Sequence, residues 1–139
     1  MSYAGDLSPR QAWDLLDATE DALLVDVRTR AEWSFVGVPD TSELGRPTVL
    51  AEWSSFPNGE RNATFLDQLA EAGLEPGDER PVVFLCRSGQ RSIGAAEAAT
   101  AAGFGPAYNV LDGFEGGLDG SGHRGSRGWR AEGLPWRQS

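Results

Sequence analysis

The chain has 139 residues and a formal net charge of −9, and all twelve of its basic residues are arginines. A chain of this length suits one domain whose core needs no disulfide or metal, and its acidity argues against nucleic acids and anionic membranes as partners. No apolar stretch approaches the ~20 residues of a membrane-spanning helix, nothing at the N-terminus is typical of a signal peptide, and a single cysteine cannot form an internal disulfide. We therefore expect a reducing, cytoplasmic setting.

Short apolar runs alternate along the chain with helical patterns. Ser8-Pro9 is typical of a helix start, and Gly73 and Gly103 are typical of helix ends. The apolar runs are continuous, as in strands that are buried on both faces. In chain order, the predicted elements are a helix over residues 8–17, a strand over 22–27, a helical turn over 30–34, a strand over 48–53, a turn at 56–59, a helix over 63–72, a strand over 81–85, a helix over 92–102 and a strand over 107–111.

This alternation predicts an α/β domain with a largely parallel sheet. In such sheets, binding sites collect at the carboxyl ends of the strands. Two of these ends carry reactive or charged residues: Asp26 ends the first strong strand, and Cys86 directly follows the second. On the helical turn after Asp26, Arg28 and Glu32 have the i,i+4 spacing of an ion pair.

The segment from Cys86 to Ser92 joins a strand to a helix and reads Cys-Arg-Ser-Gly-Gln-Arg-Ser. A lone cysteine after an apolar strand is by itself more often a small buried hydrophobic residue than a catalyst. A tight turn into a helix N-terminus, however, leaves backbone N–H groups unpaired, and such a cradle holds anions and favours a thiolate. Arg87 and Arg91 add positive charge and forked donors for an oxyanion, and Gly89 lets the backbone curl. These residues predict an activated cysteine that acts on a small oxyanion-bearing substrate.

The loop resembles the active-site loop of the rhodaneses, in which Cys-Arg-x-Gly-x-Arg is the form that uses thiosulfate. Three other segments are similar to rhodanese motifs and occur in the same order: Leu24 to Trp33, Asn109 to Phe114, and Gly133 to Pro135. The resemblance extends through most of the chain. It implies a single rhodanese domain over residues 1–139, of α/β class, with a largely parallel five-stranded sheet flanked by helices on both faces.

The resemblance also implies a mechanism, that of a thiosulfate sulfurtransferase. Cys86 would take sulfur from thiosulfate, or from a protein persulfide, and hold it as a persulfide for cyanide or a thiol. A sulfur-relay protein is then a further partner, and no metal or organic cofactor is required. The resemblance assigns Asp26, Arg28 and Glu32 to structural support of the loop. It assigns substrate binding to the loop residues Arg87, Ser88, Gly89, Gln90, Arg91 and Ser92.

Two other classes of protein compete with this interpretation. Cysteine-based phosphatases and arsenate reductases have a Cys-x5-Arg pattern, whereas only four residues lie between Cys86 and Arg91. Rhodanese-like modules that bind or sense sulfur without turnover usually lack the cysteine or the basic loop residues, and this chain has both. A sulfurtransferase is therefore favoured over either alternative.

The sequence departs from the rhodanese pattern at two places. Residues 115–128 form a glycine-rich insertion that could fold over the active site, where Arg124 and Arg127 would meet substrate. The insertion contains a G-x-G-x-x-G match, but this match follows no strand and opens no helix. It also contains the only histidine, His123, which lacks the further ligand residues that a zinc site needs. In addition, many rhodaneses have a histidine where this chain has Gly37.

Overall fold

The computed structural model describes residues 3–54 and 61–138; the turn predicted at 56–59 lies outside the described residues. Helices and strands alternate through most of this part of the chain, as predicted. In chain order, they are β1 (Gly5–Leu7), α1 (Pro9–Ala18), β2 (Leu23–Asp26), α2 (Arg30–Phe35), β3 (Val38–Pro39), a short 3-10 helix (Ser42–Leu44), β4 (Val49–Leu50), α3 (Phe65–Glu71), β5 (Val82–Leu85), α4 (Arg91–Ala101), β6 (Ala107–Val110) and β7 (Trp136–Arg137).

The main sheet has five strands in the order β1-β6-β5-β2-β4, and every neighbouring pair is parallel. The predicted α/β class with a parallel five-stranded sheet is therefore confirmed. A separate antiparallel pair joins β3 to β7 near the C-terminus. No helix among the described residues is long and apolar enough to cross a membrane.

The main sheet is buried on both faces, which explains the continuous apolar runs of β2 and β5. Helices α3 and α4 cover one face, and the small side chains of α4 allow that helix to lie close to the strands. Helix α1 and the C-terminal segment cover the other face. The buried residues of the first face include Leu23, Val25, Val82, Phe84, Phe65, Leu69, Ala95, Ala96 and Ala99, and those of the second include Ala12, Leu16, Leu24, Val83, Leu85, Val110, Phe114, Trp129 and Leu134.

Local capping interactions explain where the helices begin. Helix α1 starts at Pro9 as predicted, because the Ser8 hydroxyl accepts from the backbone of Gln11 in a capping box. Helix α3 starts at Phe65 rather than at residue 63. The Asn62 carboxamide accepts from the backbone and the hydroxyl of Thr64, and this turn holds the preceding residues out of the helix.

Two strands of the main sheet differ from the prediction, and the short antiparallel pair of β3 and β7 was not predicted. The strand predicted over 48–53 is reduced to β4, and the chain then turns so that Ala51 and Trp53 enter the core beside α3 and α4. Strand β1 has no counterpart in the prediction, because Gly5 and Asp6 are poor strand formers. It forms at the sheet edge by pairing with β6, about a hundred residues away in sequence.

Candidate active site

Cys86 directly follows β5, at the carboxyl end of the parallel sheet, and its side chain is buried. The backbone N–H of Gly89 lies 3.1 Å from Cys86 Sγ, and the Ser92 hydroxyl lies 3.2 Å from it. The chain therefore curls around the sulfur between β5 and the first turn of α4. Two donors directed at one sulfur atom stabilise negative charge on it.

The loop is supported from outside by the turn that follows β6. The backbone N–H of Phe114 donates to the carbonyl of Cys86 at 2.8 Å, and those of Glu115 and Gly116 donate to the carbonyl of Arg87. Gly113, which directly precedes Phe114, has a φ of +57°, and a Cβ atom there would lie 2.3 Å from the Cys86 carbonyl oxygen. Only glycine permits this approach, so the turn and the cysteine loop are fitted to each other at backbone level.

Arg91 forms a two-pronged ion pair with Glu32, with Nη1–Oε1 and Nη2–Oε2 distances of 2.7 and 2.9 Å. Glu32 also accepts from the backbone and hydroxyl of Thr29, in the capping box that starts α2. Burial opposes the charge of Glu32, but the hydrogen bonds from Arg91 and Thr29 outweigh this effect and lower the pKa of Glu32 to about 2. The pair thus joins α2 to the end of the cysteine loop.

The predicted pairing of Arg28 with Glu32 is therefore wrong. Arg28 instead binds Asp26 through Nε and Nη2, at 2.6–3.1 Å, and both side chains are fully buried. Its Nη2 also donates to the carbonyl of Gly37, and its guanidinium lies 4.2 Å from the centre of the Phe114 ring. Since α2 begins at Arg30, Arg28 precedes the helix and is not placed on its surface, where the i,i+4 rule applies.

These contacts indicate what the three residues assigned to structural support can do. The ion pair of Asp26 and Arg28 is buried, and its guanidinium packs on the Phe114 ring. The backbone N–H of Phe114 in turn donates to the Cys86 carbonyl. Glu32 holds the far end of the loop through Arg91. The support role assigned to Asp26, Arg28 and Glu32 agrees with this arrangement and stays a prediction until it is tested by mutation.

The two arginines of the loop differ in their surroundings. Arg87 is exposed, and its side chain makes no hydrogen bond or ion pair among the described residues. The guanidinium of Arg91 is held by Glu32, which raises the pKa of Arg91, and the charge of Cys86 acts in the same direction. Arg87 is therefore available to an incoming oxyanion, whereas Arg91 supplies positive charge from a fixed position.

The remaining loop residues predicted to bind substrate lie at different depths. Gly89 and Ser92 are buried and contact the sulfur, as described above. Ser88 is half-buried, and Gln90 is exposed at the N-terminal end of α4. All of them belong to the loop around Cys86, and their contacts with a substrate stay predictions.

A polar chain behind the sulfur was missed by the sequence reasoning. The Ser92 hydroxyl also lies within hydrogen-bond distance of Asn109 Oδ1, and Asn109 Nδ2 donates to Asp6 Oδ1 at 3.0 Å. Ser92 and Asn109 are fully buried. A buried asparagine in an otherwise apolar strand was the available signal, since such a group needs polar partners.

A tryptophan and an arginine lie over the first turns of α4. The Trp53 ring packs so closely on Gly94 that a Cβ atom at Gly94 would lie 3.1 Å from it. Arg61 stacks on this tryptophan, with its guanidinium carbon 4.0 Å from the ring centre. Trp53 thus lies one helical turn along α4 from Arg91.

The glycine-rich insertion packs mainly on itself and on the turn after β6. Arg124 donates to the carbonyl of Gly116 at 2.8 Å, and Arg127 lies 3.9 Å from the Asp112 carboxylate. The backbone N–H of His123 donates to the Asp119 carboxylate in a tight turn. The proposed contact of Arg124 and Arg127 with substrate stays a hypothesis, and both guanidinium groups contact the protein in this structure.

Gly37, where many rhodaneses have a histidine, has little room for a side chain. A Cβ atom at this position would lie 2.8 Å from the Arg137 carbonyl oxygen and 2.9 Å from the Trp136 ring. The antiparallel pair of β3 and β7 therefore occupies the space that a side chain at residue 37 would need. Within the described ranges, no group of three or more histidine, cysteine or acidic residues is placed to hold a metal ion.

The fold and the site define a parallel α/β domain with a buried cysteine, whose sulfur faces two donors from the loop that follows β5. The family model described as the STR4 middle domain matches residues 4–139. An uncharacterised protein of Rickettsia conorii is 35% identical over 127 residues, which are 91% of this chain and 92% of the relative. The chain belongs to the rhodanese family and is a domain of the sulfurtransferase type.

Two further relatives have names that state an activity or a type of domain. The thiosulfate sulfurtransferase GlpE of Actinobacillus pleuropneumoniae is 27% identical, over 94% of this chain and 90% of the relative. The chloroplastic rhodanese-like domain-containing protein 4 of Arabidopsis thaliana is 31% identical over 93% of this chain, which spans only 25% of that longer protein.

Solved structures agree with this assignment. The crystal structure of Rv0390 from M. tuberculosis has a TM-score of 0.90 and 61% identity, over 99% of this chain and 100% of that one. The polysulfide-sulfur transferase homodimer of Wolinella succinogenes has a TM-score of 0.63 and 28% identity, over 96% of this chain and 78% of that one.

Proposed function

We propose that the protein is a thiosulfate sulfurtransferase that carries sulfur as a persulfide on Cys86. The observation that supports this most directly is the pair of donors, Gly89 N–H and Ser92 Oγ–H, that lie 3.1 and 3.2 Å from a buried cysteine sulfur. The free guanidinium of Arg87 is next in the chain. A stabilised sulfur with a free cation beside it suits attack on a small anion that carries a transferable sulfur atom.

In the first half-reaction, the Cys86 thiolate attacks the outer sulfur of thiosulfate. A bond forms between Sγ and that sulfur, the sulfur–sulfur bond of thiosulfate breaks, and the electron pair leaves with sulfite. In the second half-reaction, cyanide or a thiolate attacks the outer sulfur, and the electron pair returns to Sγ. No external oxidant, metal or organic cofactor takes part.

The surroundings of the two arginines suggest different roles for them. Arg87 binds the sulfonate oxygens, since its guanidinium is exposed and uncommitted. Arg91 contributes positive charge while it braces the loop against Glu32. This refines the expectation that both arginines clamp the substrate.

The proposal extends to setting and partners. The free thiol of Cys86 needs a reducing compartment to stay available, so we place the protein in the cytoplasm. A protein persulfide could replace thiosulfate as the donor, because Gly89 and Ser92 act on the Cys86 sulfur whichever donor it attacks. A sulfur-relay protein would then be a partner.

The test is a measurement of both half-reactions on purified protein. With thiosulfate, intact-mass spectrometry should show the gain of one sulfur atom and the release of one sulfite, and added cyanide should give thiocyanate. A Cys86→Ser variant should do neither. Absence of the sulfur adduct from the unaltered protein, or hydrolysis of an aryl phosphate in its place, would contradict the proposal.

A second variant tests the role of Arg87. Arg87→Ala should raise KM for thiosulfate about tenfold or more, because a charge-assisted hydrogen bond to the substrate is lost. Arg10→Ala removes an exposed arginine from α1 and should leave KM unchanged. An unchanged KM in Arg87→Ala would show that the sulfonate is bound elsewhere.

A further inference from the structure

Three side chains behind the sulfur lie in a row from the core to the protein surface. Ser92 Oγ lies 3.2 Å from Cys86 Sγ and beside Asn109 Oδ1, and Asn109 Nδ2 lies 3.0 Å from the Asp6 carboxylate. Ser92 and Asn109 are buried, whereas Asp6 is exposed on edge strand β1. Strand pairing in the sheet thus connects a surface carboxylate to the reactive cysteine.

The orientation of the Asn109 amide follows from its partner. An ionised carboxylate can only accept hydrogen bonds, so the amide nitrogen must face Asp6 and the carbonyl oxygen must face Ser92. The Ser92 hydroxyl has one proton and two neighbouring acceptors, Sγ and Asn109 Oδ1. It can donate to only one of them at a time.

The charge on the sulfur decides between the two acceptors. When Sγ is a thiolate, it attracts the Ser92 proton, and the buried Asn109 oxygen then loses its donor. When Cys86 carries a persulfide, the negative charge lies on the outer sulfur and Sγ is neutral. The Ser92 proton can then return to Asn109, and the whole row is satisfied. An unsatisfied buried acceptor is costly, so the row favours the persulfide over the thiolate.

We infer that Asn109, oriented by Asp6, is a positioning residue that shifts the sulfur-transfer equilibrium of Cys86 towards the persulfide. The inference rests on the proposed function, since it concerns the same cysteine. It adds a means by which the protein retains sulfur until an acceptor arrives. Asn109 acts through Ser92 and does not contact the sulfur in this arrangement.

The informative variant is Asp6→Asn, because it alters an exposed residue and leaves the buried ones intact. The Tyr3 hydroxyl donates to the same Asp6 oxygen at 2.9 Å, and it can equally accept a hydrogen bond. The new amide can therefore donate to Tyr3 and to Asn109 together, so that the Asn109 amide can turn and donate to Ser92. The Ser92 proton is then free for Sγ in every state. Loading of Cys86 should become slower and discharge to cyanide faster, each by about twofold, so that the equilibrium moves about fourfold towards the thiolate.

Opposite effects on the two half-reactions distinguish positioning from damage, because a loosened structure would slow both. Asp17→Asn makes the same charge change on exposed α1 and should alter neither rate. In a Ser92→Ala background, Asp6→Asn should have no effect, because the hydroxyl that transmits it is gone. Equal rates in Asp6→Asn and the unaltered protein, slowing of both half-reactions, or an effect that persists without Ser92 would each overturn the inference.

Both rates are measured by intact mass, with thiosulfate and with inorganic polysulfide as separate sulfur sources. Loading from polysulfide alone would refute thiosulfate as the donor, while the comparison of Asp6→Asn with Asp17→Asn would still decide the present inference. Loading from neither source would overturn the persulfide role of Cys86, and the inference with it.

Discussion

The ion pair between Glu32 and Arg91 should make a measurable part of the protein's stability depend on acid pH. The pKa of Glu32 falls from its ordinary value of 4.5 to about 2 in the folded protein. At 1.36 kcal/mol for each pH unit, this lowering corresponds to ~3 kcal/mol, and partial exposure of the pair reduces the expected value to ~2 kcal/mol. A lowered pKa means that this stabilisation is fully present above pH 4.5 and is lost as the pH falls towards 2.

The perturbation is Glu32→Gln, which keeps the size of the side chain and removes its charge. At pH 7, the variant should unfold in urea with a free energy ~2 kcal/mol below that of the unaltered protein. At pH 3, the two proteins should differ much less, because the carboxylate is largely protonated in the unfolded chain of the unaltered protein. Glu43→Gln changes an exposed glutamate of the 3-10 helix and should show neither effect.

One result would refute this reasoning. If the difference between Glu32→Gln and the unaltered protein were the same at pH 7 and pH 3, the ion pair would not be the source of the stability. The loss would then have a source other than the charge of Glu32, and the capping box with Thr29 would not be that source, because a glutamine can also form it.

Two substitutions of glycine test the backbone fit around the site. Gly113→Ala should lower the free energy of unfolding by more than ~2 kcal/mol, because the added methyl group would lie 2.3 Å from the Cys86 carbonyl oxygen. Gly37→His, which restores the residue of many rhodaneses, should cost a similar ~2 kcal/mol or more, because it displaces Trp136 and β7. Both are measured by urea unfolding with Gly120→Ala as the control, since a methyl group at Gly120 meets no atom within 4 Å. Full stability in either variant would show that the backbone yields where we expect it to be rigid.

Local sequence patterns determined the α/β class and the position of the cysteine loop. The Ser8-Pro9 start of α1 and the apolar runs of β2 and β5 depend only on neighbouring residues, through capping and burial on both faces. The same holds for the loop at Cys86, since a turn between a buried strand and a helix N-terminus presents backbone donors wherever it occurs.

Sequence could not determine which charged group pairs with which. The spacing of Arg28 and Glu32 predicted a pair on one helix, yet Arg28 binds Asp26 in the core and Glu32 binds Arg91 from another part of the chain. The i,i+4 spacing rule applies only to residues on one helix. A buried charged group pairs with an opposite charge that tertiary packing places beside it, which can come from any part of the chain. Because Glu32 pairs with Arg91, Arg91 is held in an ion pair while Arg87 stays exposed. The motif did not show this difference.

Tertiary structure alone decided what lies behind the sulfur. Cys86, Ser92 and Asn109 were all visible in the sequence as members of motifs, but the contact of Asn109 with Asp6 spans 103 residues. It exists because β1, too short and too rich in poor strand formers to be predicted, pairs with β6 at the sheet edge. The sequence by itself thus determined the position of Cys86 and the loop around it. The fold decided which partners hold that loop, because hydrogen bonds between distant strands depend on sheet order and register.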